Sequence, residues 1–159
     1  ASGSGASEGM DGVDVIETDG TNCMNLPVEA LEMDVPIRVH KTELRTGSGG
    51  AGKFRGGLGL VREYEILHGD VVFTHRGERH NYPAHGVLGG QSGGKAYSKI
   101  RRGNGTEEVI KSKVVDTLSQ GDRIIVTTAG GGGYGAPELR LDSSIRNDIA
   151  DRKIIESEK

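Results

Sequence analysis

Three stretches of this 159-residue chain bring together groups that could do chemistry. The first, Gly47-Ser48-Gly49-Gly50-Ala51-Gly52-Lys53-Phe54, fits the phosphate-cradling pattern G-x-x-x-x-G-K up to its last position. A Ser or Thr hydroxyl should reach magnesium there, and Phe54 stands instead. Such a loop must also open a helix, so that its amides face the phosphate. Here Arg55-Gly56-Gly57-Leu58-Gly59 follows, and each glycine costs a helix roughly 1 kcal/mol. The same residues match G-x-G-x-x-G, which fails for want of the same helix. The stretch therefore reads as a glycine loop that lets two backbones approach closely, and no nucleotide site is expected in it.

The second stretch holds His75, His80 and His85, spaced five apart, with Glu78 among them. Neighbours five apart point to opposite faces of a strand, and they are misaligned on a helix as well. No metal ligand set is therefore expected in this chain, and no cofactor of its own. The catalytic candidates are Glu78, Arg79 and His80, with Arg76 beside them, just beyond the run Val71-Val72-Phe73. The alternative is a solvated turn with surface ion pairs. The third stretch is Ala129-Gly130-Gly131-Gly132-Gly133-Tyr134-Gly135-Ala136-Pro137. Four consecutive glycines are entropically costly to order, yet Tyr134 and Pro137 are poor linker residues. The segment is expected to be a fixed loop with positive φ values, its amides facing an anion, a carbonyl oxygen or another subunit. The turn Gln91 to Gly94 is expected to be exposed. No Ser-His-Asp set is apparent, and Cys23 stands near no histidine.

Short strands must hold these loops. Pro36 to Leu44, Leu58 to Leu67, Val71 to Thr74, Glu108 to Val115 and Arg123 to Thr128 alternate or are rich in β-branched residues. In the second of these, Leu58, Leu60, Arg62, Tyr64 and Ile66 share a face. Gln120-Gly121-Asp122 reads as a hairpin turn into the last strand. Asn25 to Glu32 reads as one short helix, and 143–159 as a helical tail with Ile145, Ile149 and Ile154. Residues 1–12 form a glycine-rich loop, and 1–159 a single segment. The fold class is α+β, β-rich, with short strands joined by glycine-rich loops. Glycine supplies 27 of 159 residues, far above the usual roughly 7%. With no Trp, two Phe and four Tyr, the core is expected to be thin and completed by a partner. No apolar run approaches the roughly 20 residues of a membrane span, and no leader is apparent. A net charge of -3 gives no footprint for nucleic acid. One cysteine excludes an internal disulfide framework, and the chain is expected in the cytoplasm.

Taken in order, several motifs resemble the hydantoinase B/oxoprolinase family. They are Asn25-x-Pro27-Val28-Glu29-x-Leu31-Glu32, Ser48 to Gly59, Glu78-Arg79-His80, Gly86-Val87-Leu88-Gly89-Gly90, and Gly130 to Gly135 with Pro137. The match runs from about Gly3 to Ile155 and looks like only the C-terminal part of such a subunit. The resemblance implies an ATP-dependent cyclic-amide hydrolase of hydantoinase, oxoprolinase or lactamase type. The nearest alternative it implies is a subunit of an ATP-dependent ketone carboxylase of acetone or acetophenone type, and a non-catalytic assembly module of a larger enzyme complex is a third reading. It implies ATP and Mg in a hydantoinase A-like partner, and it allows a divalent metal in the N-terminal part of the B-type subunit. The isolated chain is expected to be inactive. The loops it points to, against substrate or a subunit interface, contain Gly49, Gly50, Arg55, Gly56, Gly57, Gly131, Gly132, Gly133 and Tyr134. Three positions depart from the family's habit: Gly47 and Ala136, where Asp is frequent, and Ala129, where Pro is frequent.

Overall fold

A computed structural model of the chain describes residues 1–17 and 24–155. Cys23 and the last four residues of the expected tail lie outside them. In chain order the elements are α1 (Val28–Asp34), β1 (Ile37–Leu44), β2 (Leu60–Ile66), β3 (Asp70–Arg76), β4 (Tyr97–Arg101), β5 (Glu107–Ile110), β6 (Lys113–Ser119), β7 (Arg123–Thr127) and α2 (Asp142–Ala150), with a 3-10 turn at Pro137–Leu139 before α2. The strands form a five-stranded sheet in the order β1-β2-β7-β4-β5 and a separate ribbon, β3-β6. Every pairing is antiparallel. The architecture is the β-rich α+β arrangement expected.

The ribbon packs on the sheet through one small core. Ile66, Ile100, Leu118 and Ile124 are its buried centre, with Tyr64, Val71, Phe73 and Val126 packed around them. Burying each aliphatic side chain contributes about 1.5–3 kcal/mol. Alternation along β2 puts Ile66 into this core with Tyr64 packed beside it, and leaves Arg62 half-buried on the same side.

Four expectations are corrected here. The run Glu108 to Val115 is not one strand: it breaks at Lys111-Ser112, so that β5 serves the sheet and β6 the ribbon. Gly121, at φ 84°, turns the chain, yet β6 and β7 do not pair with each other. The turn carries the chain from ribbon to sheet and is no hairpin. The short helix starts at Val28, after Pro27 as N-cap, because proline's missing N–H is harmless there. The terminal helix is the nine-residue α2, which ends at Ala150. Strand β4 was not expected, because Tyr97-Ser98-Lys99-Ile100-Arg101 carries too few apolar residues to stand out.

The other half of the molecule is built from backbone. Gly130 to Gly133 runs through the middle of the glycine segments and is buried. Gly130 N donates to Gly94 O (3.0 Å), Gly131 N to Gly57 O (2.9 Å) and Gly133 N to Gln91 O (2.9 Å). In return Gly50 N donates to Gly131 O, Ala6 N to Gly132 O and Val87 N to Gly133 O. A strand in a sheet bonds to two neighbours, whereas this segment bonds to five stretches of chain. Glycine permits that: a Cβ at 130, 131, 132 or 133 would lie under 3.0 Å from backbone atoms of Ser48, Ser4, His85 or Ala51 respectively.

Positive φ is therefore not the reason for these glycines. Within the run only Gly135 has it, at 71°. The turn at Gln91 to Gly94 is likewise not wholly exposed: Gly93 is buried, and a Cβ there would meet the carbonyls of Gly130 and Gly131.

Candidate functional site

The charged turn beyond β3 is shaped by a glycine and two imidazoles. His75 is the last inward-facing residue of β3, 8% exposed and stacked on Phe73 with centroids 5.8 Å apart. After Gly77 the chain doubles back, and His80 Nε2 lies 3.5 Å from His75 Nε2. The spacing argument that separates these histidines holds only inside a regular element, and the turn at Gly77 breaks it. A Cβ on Gly77 would lie 2.9 Å from His75 Nε2 and would collide with His80. His85, the third member, is elsewhere, its Nδ1 3.3 Å from Ser92 Oγ. Burial, then the neighbouring His80, push the His75 pKa below its ordinary value.

The candidates around this pair differ in character. His80 Nδ1 lies 3.1 Å from the Glu78 carbonyl oxygen, to which it donates when protonated. The Glu78 carboxylate is exposed and faces Lys113 Nζ at 3.2 Å, a surface pair worth at most about 1 kcal/mol. Arg79 has φ 62°, a conformation costly for a side chain of its size. Its carbonyl accepts from Ala96 N (3.0 Å), and its Nη1 reaches the Pro83 carbonyl only at 3.4 Å. The guanidinium is thus presented to solvent from a strained turn fixed at both ends.

A second constellation was hidden from the sequence. Arg55 is 3% exposed, and its guanidinium lies 3.4 Å from both Asp14 and Asp148 while donating to Gly56 O at 2.6 Å. Arg140 grips Asp11 with two bonds of 2.8 Å and Asp148 with one of 2.6 Å. Asp11 also accepts the Arg55 amide (2.7 Å), and Asp14 the Leu58 amide (2.8 Å). Burial alone would raise both aspartate pKa values. For Asp11 the Arg140 and Arg55 bonds outweigh it, and for Asp14 the Leu58 amide with Arg55 and Lys153 does so. Both carboxyls end below the ordinary value. Arg140 and Asp148 are eight positions apart, but the other Arg–Asp pairs lie 41 to 129 positions apart and leave no local spacing to read.

This network forms one wall of an open cleft of about 980 Å³. The glycine loop Gly47 to Gly52 and Gln91-Ser92 line other parts, and Ile145, Ile149 and Ile154 give it an apolar side. The loop itself is pinned. Phe54 and Tyr134 exchange backbone hydrogen bonds of 3.0 and 2.9 Å, and Lys53 Nζ sits 5.4 Å over the Phe54 ring. No helix follows Lys53, and the amides of Gly50, Lys53 and Phe54 donate to protein carbonyls. The remaining loop candidates, Gly49, Gly50, Gly56, Gly57 and Gly131 to Gly133, belong to the interlocked backbone. Among the described residues, no group of three or more His, Cys, Asp or Glu side chains is arranged to hold a metal ion. No helix among them is long and apolar enough to cross a membrane.

A strand-rich domain whose second half is interlocked glycine backbone matches a known class. The hydantoinase B/oxoprolinase profile matches residues 1–137, and the chain belongs to that family. A 5-oxoprolinase from Dictyostelium discoideum is 34% identical over 141 residues, 89% of this chain and 11% of that protein. Caprolactamase subunit beta from Pseudomonas jessenii is 34% identical over 157 residues, covering 93% of this chain and 26% of that subunit. The crystal structure of the ATP-dependent caprolactamase from Pseudomonas jessenii superposes with a TM-score of 0.80 at 31% identity, covering 98% of this chain and 28% of that one. A nucleotide-free acetone carboxylase structure shares the fold, with TM-score 0.80, at 19% identity, over 99% of this chain and 25% of that one. The chain thus spans between about a tenth and a quarter of the length of the curated relatives it matches.

Proposed function

We propose that this chain is the glycine-cored portion of a B-type subunit in an ATP-dependent enzyme that opens cyclic amides. One observation carries the reading: a caprolactamase chain described as ATP-dependent has the same fold over 98% of this chain at 31% identity. The chemistry suits the class. An unstrained cyclic amide is a poor electrophile, and phosphorylating its oxygen makes the carbon attackable by water. The adduct then breaks its C–N bond, the nitrogen takes a proton and the ring opens. Hydrolysis of the acyl phosphate left behind yields carboxylate and phosphate. ATP and Mg would be held by an A-type partner, and a divalent metal, where present, by the N-terminal part of the B-type subunit.

This chain's own contribution is positional. The interlocked glycine backbone is stiff, and stiffness holds a substrate wall or subunit interface where a lone loop would drift. Arg79 and His80, raised on the strained turn, are the side chains proposed to face substrate or partner, with Glu78 beside them. The complex is proposed to work in the cytoplasm, where ATP is supplied. The shared fold with acetone carboxylase makes ketone carboxylation the second reading. Purifying the whole B-type subunit with its A-type partner and measuring ATP cleavage with hydantoin, 5-oxoproline and caprolactam separates the two. Cyclic-amide-dependent cleavage supports the proposal, and cleavage that instead needs a ketone with bicarbonate replaces it.

A further inference from the structure

We infer that His75 and His80 form a two-histidine half-site for a zinc-class divalent ion. The remaining coordination positions are left to water or to an incoming oxygen or nitrogen donor. The inference departs from the expectation, drawn from the five-residue spacing, that this chain holds no metal ligands. It stands independently of the amide-hydrolase reading.

Geometry carries it. Zinc–imidazole bonds are about 2.0–2.1 Å long, so two nitrogens 3.5 Å apart both reach one ion at an N–metal–N angle of about 117°, close to tetrahedral. The ring planes cross at 65° with centroids 5.5 Å apart, so the imidazoles meet edge-on and do not stack. Orientation is already set. His80 Nδ1, when it carries the proton, donates to the Glu78 carbonyl, which leaves Nε2 with the free lone pair. A backbone carbonyl on the far nitrogen is the usual support of a metal-bound histidine. His75 is held by its stack on Phe73, and Gly77 provides the space that any larger residue would take from one of the rings. The ligands are therefore arranged before an ion arrives, which lowers the ordering cost of binding.

A direct hydrogen bond between the two Nε2 atoms accounts for the same separation, so the test must tell the two apart. The whole chain, stripped with chelator and labelled with nitrogen-15, is titrated with Zn²⁺ alone and followed through its histidine ring signals. Calorimetry is run in parallel on the native chain and on His80→Ala. His80 is only half-buried in a loop, so its removal leaves the β3 packing in place. The half-site predicts saturable binding of one ion, with the His75 and His80 Nε2 signals moving together. It predicts at least a tenfold loss of affinity in His80→Ala, with His75 no longer responding. Ring signals of His75 and His80 that stay still in excess Zn²⁺ would overturn the inference. So would equal affinity in His80→Ala, or binding that moves only other histidines.

Discussion

Replacing Gly131 by Ala adds one methyl group in the middle of the glycine backbone. That methyl would sit under 3.0 Å from the Ser4 carbonyl group and the Gly5 amide, which are themselves backbone and have little room to retreat. Overpacking of this kind costs about 1–3 kcal/mol. If the segments separate to relieve it, the bonds from Gly131 N to Gly57 O and from Gly50 N to Gly131 O are strained, at about 0.5–1.5 kcal/mol each. Alanine's smaller unfolded-state entropy returns about 0.4–1 kcal/mol. The net expected loss is about 1–6 kcal/mol, against a typical stability of about 5–15 kcal/mol. For a chain of this size each kcal/mol lost lowers Tm by roughly 2–4 °C. The control is Gly103→Ala, at an exposed site where a Cβ finds nothing nearer than 3.6 Å. Thermal and urea unfolding followed by circular dichroism gives both numbers. If Gly131→Ala and Gly103→Ala unfold at the same midpoint, the interlocked backbone is not what holds this half together.

Arg55→Ala should be more damaging than any surface change, about 3–5 kcal/mol, because it leaves Asp14 and Asp148 without their shared cation; urea midpoints would show it. Asp11 and Asp14 have folded pKa values below the ordinary 3.8. The unfolded chain therefore takes up their protons first, and their stabilisation is full well above that value and lost as pH falls through it and below. Acid titrations of stability should show a fall in that window that is weaker in Asp11→Asn. Mg-ATP should give no calorimetric signal with this chain, since Phe54 replaces the hydroxyl and no helix follows Lys53; micromolar binding contradicts that. Arg79→Gly relieves the positive φ yet removes the guanidinium. In the full complex it should stabilise by up to about 1 kcal/mol while lowering kcat/KM, and unchanged kinetics would make Arg79 a plain turn residue.

The strands with strong β-branched runs were legible. Leu60 to Ile66 is read from alternation, and Arg123 to Thr127 from its β-branched run, whose Ile124 and Ile125 are both buried. β4 was not legible, since its Ser98 and Ile100 are buried by long-range pairing with β7 and β5 while Lys99 and Arg101 disguise the run. The glycine run is fixed by close approach of backbones and not by positive φ. That approach depends on partners 36 to 127 residues away, from Gly94 against Gly130 to Ser4 against Gly131, which no local pattern encodes. The same holds for Arg55, whose carboxylate partners come from both ends of the chain. Element periodicity separates His75 from His80, and the turn at Gly77 does not obey it.

Reconstituting the complete B-type subunit with its A-type partner and counting products decides whether ATP cleavage serves the opening of cyclic amides. Phosphate released from ATP and ring-opened cyclic amide are measured in the same reaction. The proposed function predicts that the two appear together, that ATP cleavage depends on the cyclic amide, and that Gly131→Ala lowers both in step. Phosphate release that ignores cyclic amides and instead follows ketone and bicarbonate, with a carboxylated product, would contradict it.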